Sequence, residues 1–254
     1  MRTLQPAERL IVAADFKPEM RILSETIHLK MRNWVEYKVL TLADQLQGTG
    51  VYFKINSALR ACGYDLIDEI HARGLLVFAD LKVFDIKETL TIDGILLRET
   101  KPELLTVVCS AGVDSMLSLK MELPDTEILG VQVLTNLKEE DTEKMFGCSI
   151  NDAVLKFAKI AELGETDGLI SSAKEVAMLK ENFGVYMTLN TPAIRPLWSL
   201  VPGDDQNPDR IMTPTKAIKM GADRIVVGRP ITGSTNPYDA VMRILEEIES
   251  ATKE

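Results

Sequence analysis

Short apolar runs recur along this chain, and longer amphipathic stretches separate most of them. The runs are 10–14 (LIVAA), 51–55 (VYFKI), 75–79 (LLVFA), 104–108 (LLTVV), 128–134 (ILGVQVL), 167–170 (DGLI), 185–189 (VYMTL) and 224–227 (RIVV). Helical patterns fall between them, at 57–73, 86–100, 151–163, 173–182 and 213–220. Strands that are apolar throughout, rather than on alternate residues, suit a parallel sheet covered on both faces by helices. Eight such strands alternating with helices predict an α/β protein, a single (β/α)8 TIM barrel over residues 1–254. An open doubly wound sheet is the competing arrangement, but no G-x-G-x-x-G follows the first strand. The length of 254 residues is close to the ~250 typical of the barrel.

Two stretches break the rhythm. Residues 16–50 are long for one crossover and are expected to hold two helical pieces. Residues 191–210 carry four prolines and little periodicity. A loop this long inside a compact domain is often a functional lid, although a surface insertion would read the same way.

Composition narrows the function. The net charge of −9 argues against general affinity for nucleic acid or an anionic membrane. A small anionic ligand stays possible, because a few guanidinium and backbone N–H groups can bind one on an acidic protein. The three cysteines, Cys62, Cys109 and Cys148, are widely spaced and form no disulfide framework. With only two histidines, His28 and His71, a zinc site has few candidate ligands. The first residues lack a signal-peptide core, and no apolar run approaches a membrane span. A soluble, cytoplasmic protein is expected.

The segment 75–89 (LLVFADLKVFDIKET) carries the chemistry. An apolar strand runs into Asp80, Lys82 and Asp85, and residues 80 and 82 point the same way on an extended chain. Barrel strands present their catalytic groups at their C-terminal ends. Lys54 interrupts the preceding strand near its end, so Lys54, Asp80, Lys82 and Asp85 form an alternating charged array. A surface salt-bridge cluster is the plainer reading, but the strand-end position favours a site. A second constellation is C-terminal. The last strand ends in Gly228-Arg229-Pro230, and the loop before it offers Arg195 and Gln206. The loops after strands 7 and 8 form the usual phosphate site of this fold.

Asp80-Leu81-Lys82-Val83-Phe84-Asp85-Ile86 resembles the D-x-K-x-x-D-I signature of the orotidine 5′-phosphate decarboxylase family. TPAIRP (191–196), Asp205-Gln206, RIMTP (210–214) and GADRIVVGRPIT (221–232) are similar to its C-terminal phosphate-binding stretch. IVAAD, FKINSALRACGYDLIDEI and VQVLTN resemble its first, second and fifth strand regions, so the likeness runs from about residue 10 to residue 240. The resemblance implies a homodimeric barrel that converts orotidine 5′-monophosphate to UMP and CO2 without metal or organic cofactor. It implies Lys82 as proton donor beside Lys54 and Asp80, with Asp85 and Thr89 reaching in from the partner. It assigns Asp15 and Lys54 to the ribose, Thr135 to the pyrimidine, and Arg195, Gln206, Gly228 and Arg229 to the phosphate.

The chain departs from the family pattern in places. Phe84 stands where His is usual, Lys87-Glu88-Thr89 where Pro-Asn-Thr is usual, Ala193 for a glycine, and Cys109 for a histidine. Two rivals remain at this point. One is the superfamily's sugar-phosphate branch, 3-keto-gulonate 6-phosphate decarboxylase and hexulose-phosphate synthase, which use Mg²⁺ and carry a carboxylate where Lys54 stands. The other is a catalytically silent barrel that only binds nucleotide phosphates.

Overall fold

The computed structural model describes residues 3–17, 27–183, 187–200 and 212–253. Among them, eight strands close into a barrel in sequential order: β1 (Leu10–Ala13), β2 (Tyr52–Ile55), β3 (Leu76–Val83), β4 (Leu104–Val108), β5 (Glu127–Val131), β6 (Gly168–Ile170), β7 (Thr188–Thr191) and β8 (Arg224–Val227). Every neighbouring pair is parallel, and β8 returns to β1 with Leu10 opposite Ile225. The surrounding helices are α1 (Ile27–Gln45), α2 (Ser57–Cys62), α3 (Asp65–His71), α4 (Lys87–Arg98), α5 (Val113–Glu122), α6 (Glu139–Phe146), α7 (Ile150–Leu163), α8 (Val176–Asn182), α9 (Pro214–Lys219), α10 (Arg229–Thr232) and α11 (Pro237–Lys253). The single (β/α)8 TIM barrel read from the sequence is the fold observed.

Each strand serves two cores, because side chains alternate across it. Outward residues such as Leu10, Val12, Phe53, Val77, Leu105 and Ile225 pack under the helices. Inward residues Ile11, Ala13, Tyr52, Phe78, Leu104, Leu129 and Val226 fill the barrel. At the N-terminal end, the fully buried Arg224 reaches Glu127 through two contacts of 2.8 Å and stacks 5.1 Å from the Tyr52 ring. The barrel therefore has a paired-charge floor and an apolar middle, and its polar groups at the other end are free to form a site.

Several local expectations need correction. The helix expected over 57–73 is two helices, because Gly63 takes φ +94 between α2 and α3, a conformation L side chains rarely adopt. Of the two helical pieces expected in 16–50, one is the 19-residue helix α1, and residues 18–26 lie outside the described residues. Strand β3 runs on to Val83, and its register against β4 shifts between Ala79 and Val83. Strand β5 stops at Val131, and β7 begins at Thr188, later than expected. Gly94 lets α5 approach α4 closely, since a Cβ there would lie 2.6 Å from the Glu122 Cβ. No helix among the described residues is long and apolar enough to cross a membrane.

Candidate active site

Four charged side chains from three adjacent strands meet at the C-terminal end of the barrel. Lys54 on β2 places Nζ 2.8 Å from Asp15 Oδ2, just past β1, and 3.1 Å from Asp80 Oδ2 on β3. Asp80 Oδ1 accepts in turn from Lys82 Nζ at 2.5 Å. The chain of contacts is thus Asp15–Lys54–Asp80–Lys82. Asp85, expected as the fourth member, is exposed and accepts from the Ile86 N–H at 2.7 Å, because the chain leaves the barrel after Val83. Thr89 lies beyond it on α4 and is also absent from the cavity wall.

The backbone places Lys82 by a costly route. Its φ of 48° lies in the left-handed region, an uncommon conformation for a residue with a Cβ. The Lys82 N–H donates to Thr106 Oγ1 at 2.9 Å, and that hydroxyl donates to Asp80 Oδ1 at 3.0 Å. Thr106, a hydroxyl inside the apolar run LLTVV, therefore ties β4 to the turned end of β3. In the sequence its only signal is a polar residue in an apolar strand.

The charges support one another. Burial disfavours the Lys54 ammonium, but the nearby carboxylates of Asp80 and Asp15 outweigh it and hold its pKa above the ordinary lysine value. Burial likewise opposes the Asp80 carboxylate, yet the charges of Lys54 and Lys82 hold its pKa below the ordinary aspartate value. Both groups stay ionised at neutral pH, which a buried pair requires if its desolvation is to be offset.

A cavity of about 480 Å³ opens beside this array. That size suits a small molecule. Its apolar floor is Phe78, Val131, Ile170 and Val226. Thr135 and Leu134 line one side, Ala193 and the buried Arg195 another, and Gly228 and the exposed Arg229 a third. Arg195 sits in the loop after β7, which is pinned by a bridge between Ile194 and Met212. Arg229 opens α10 directly after β8. Ala193, in place of a glycine, takes φ +65. Gly228 does not, and a Cβ there would meet only ordinary contacts with Ala13. Gln206 lies outside the described residues. Among the described residues no group of three or more His, Cys, Asp or Glu side chains is placed to hold a metal ion.

A closed barrel with linked ammonium and carboxylate groups over an apolar floor, and guanidinium groups after its last two strands, defines a (β/α)8-barrel enzyme class suited to small anionic substrates. The comparisons make this specific. Residues 8–244 match the family model described as Orotidine 5′-phosphate decarboxylase / HUMPS family. The orotidine 5′-phosphate decarboxylase of Saccharophagus degradans is 36% identical, covering 97% of this chain and 98% of its own. The enzyme of the same name from Dictyoglomus turgidum is 33% identical over 94% and 95%. The crystal structure of orotidine 5′-phosphate decarboxylase from Lactobacillus acidophilus superposes with a TM-score of 0.73 at 27% identity, covering 95% of this chain and 99% of that one. The chain belongs to the orotidine 5′-phosphate decarboxylase / HUMPS family.

Proposed function

We propose that this protein decarboxylates orotidine 5′-monophosphate to UMP and CO2, the closing step of UMP synthesis, with Lys82 as proton donor and no metal or organic cofactor. The observation that carries this reading is the Asp15–Lys54–Asp80–Lys82 chain in the wall of a cavity that Arg195 and Arg229 also line.

The chemistry follows from the placement. The bond between C6 of the pyrimidine and its carboxylate breaks, and the electron pair stays on C6. The Lys82 ammonium stabilises that developing charge and then transfers its proton to C6. Asp80 presents a fixed negative charge to the substrate carboxylate, a like-charge contact that disappears when neutral CO2 leaves. Lys54 holds Asp80 and, with Asp15, receives the ribose hydroxyls. Thr135 faces the pyrimidine. Arg195, Gln206 and the Gly228–Arg229 turn bind the phosphate, with the 191–210 loop as the phosphate grip. Binding energy from that remote group can then be spent at the reacting carbon. In the Mg²⁺-dependent branch a carboxylate stands at the Lys54 position; here an ammonium fills the space between Asp15 and Asp80.

The functional unit in this reading is a homodimer in the cytoplasm. Helix α4 buries Leu90, Gly94 and Leu97 on one face and exposes Ile92, Ile95 and Leu96 on another. Phe84 and Ile86 are exposed beside Asp85. Exposed apolar side chains gathered on one helix and the turn before it suit a subunit interface. Packing it against a second copy would carry Asp85 and Thr89 toward the partner's site.

The test is UMP formation from orotidine 5′-monophosphate in excess EDTA. Turnover supports the proposal. A folded protein inactive in EDTA but active on sugar phosphates with Mg²⁺ would move the chain to the other branch. Nucleotide binding without turnover on either substrate would leave a silent binder.

A further inference from the structure

Behind the cavity wall, three neighbouring strand ends carry a row of buried polar groups that the reaction does not use. Val131, Ile170 and Asn190 lie in register on β5, β6 and β7. Val131 and Ile170 face the barrel interior and line the cavity. The next residues, Gln132, Ser171 and Thr191, therefore face outward beneath the helices. Two residues earlier on this outer face stand Gly130, Leu169 and Leu189. A Cβ on Gly130 would touch Cys109, Ala161 and Leu169, so the layer there is tightly packed.

The polar row is sealed from bulk solvent. Gln132, Ser171 and Thr191 are 6%, 1% and 0% exposed. Gln132 Nε2, Ser171 Oγ and Thr191 Oγ1 have no hydrogen-bond partner among the described residues. An isolated buried polar group costs free energy, and three together on adjacent strands are improbable as chance defects. Parallel neighbours lie roughly 4.8 Å apart. These side chains make no direct bond to one another, and at that spacing one water can bridge a pair.

We propose that Gln132, Ser171 and Thr191 form a buried binding site for ordered water. The bound solvent stitches the ends of β5, β6 and β7 together and fixes the loops that leave them. Those loops bear Thr135 on one side and Ala193 to Arg195 on the other, so the three residues are positioning residues for the cavity wall. The solvent site itself does not depend on the reaction; its effect on catalysis rests on the proposed decarboxylase activity.

A high-resolution crystal structure of the ligand-free protein tests the site. Ordered water oxygens should lie within hydrogen-bond distance of at least two of the three atoms. Side chains bonded directly to one another or to other protein groups, with no ordered oxygen among them, would overturn it. Kinetics test the positioning role with Thr191→Val, which keeps the shape, and Thr191→Ser, which keeps the hydroxyl. The valine variant should raise KM for the nucleotide about fivefold, the scale of one lost hydrogen bond, with kcat held, and the serine variant should restore it. Unchanged KM in the valine variant, even with a lowered Tm, would overturn the positioning role. If the chain proves to be a binder, the Kd for UMP replaces KM, and the crystallographic outcome is unaffected.

Discussion

Lys82 Nζ lies 2.5 Å from Oδ1 of Asp80, two residues earlier on the same strand. In a regular strand such residues are roughly 6–7 Å apart along the chain, and their side chains run side by side. Here the register shift of β3 and the left-handed φ of Lys82 accompany a direct contact between the two charged ends, and Thr106 secures the turn. The strand end is bent so that the Lys82 ammonium meets a fixed carboxylate. Such local strain persists only where surrounding contacts over-determine it.

Removing Lys82 should remove the proposed chemistry. Lys82→Ala should lower kcat by about 10²–10⁴-fold or more, the usual weight of a positioned general acid. Circular dichroism should show an intact fold, since Asp80 keeps Lys54 and Thr106 as partners. Undiminished UMP formation in this variant would assign the proton to another group.

The Asp80 carboxylate gives a pH signature with a definite sign. Its folded pKa is held below 3.8, so the stability it contributes is present above that value and is lost as pH falls through the folded pKa. Denaturant unfolding of wild type and Asp80→Asn should therefore differ by a constant amount from about pH 8 down to about pH 5 and converge below about pH 4. A gap that widens on acidification would contradict the depressed pKa.

Arg229 should matter only when the ligand carries a phosphate. Arg229→Ala should lower kcat/KM for the nucleotide about 10–100-fold, the range expected for losing one or two charge-assisted hydrogen bonds. Turnover of the corresponding nucleoside should be unchanged. Equal losses on both substrates would place Arg229 outside the phosphate grip.

Ala193 holds φ +65, where glycine fits without a Cβ penalty. Ala193→Gly should raise unfolding free energy by about 0.5–1 kcal/mol, the relieved strain less the added freedom of the unfolded chain. Chemical denaturation measures it. A destabilised variant would show that the loop holds this conformation without strain.

The apolar face of α4 predicts assembly. If the proposed dimer forms, Ile95→Glu should convert it to monomer in sedimentation velocity and reduce activity, because in that reading Asp85 and Thr89 would no longer reach a partner's cavity. A monomeric wild type with full activity would remove the shared-site reading.

The sequence by itself determined the strand–helix alternation, the barrel and the charged motif, because buried parallel strands are apolar throughout and punctuated by amphipathic helices. That same double burial hides the phase of each strand. When both faces are apolar, hydrophobicity does not say which residues look inward. Only the tertiary structure could therefore put Arg224 inside the barrel against Glu127, Thr106 between Lys82 and Asp80, and Gln132, Ser171 and Thr191 on the outer face. Within one chain it also links Asp15 to the charged array and leaves Asp85 outside it, because β3 turns away from the cavity after Val83 while β1 delivers Asp15 beside Lys54. Composition and spacing name the groups; the pairing of strands decides which of them meet, since Asp15, Lys54, Asp80 and Thr106 come together only through neighbouring strands.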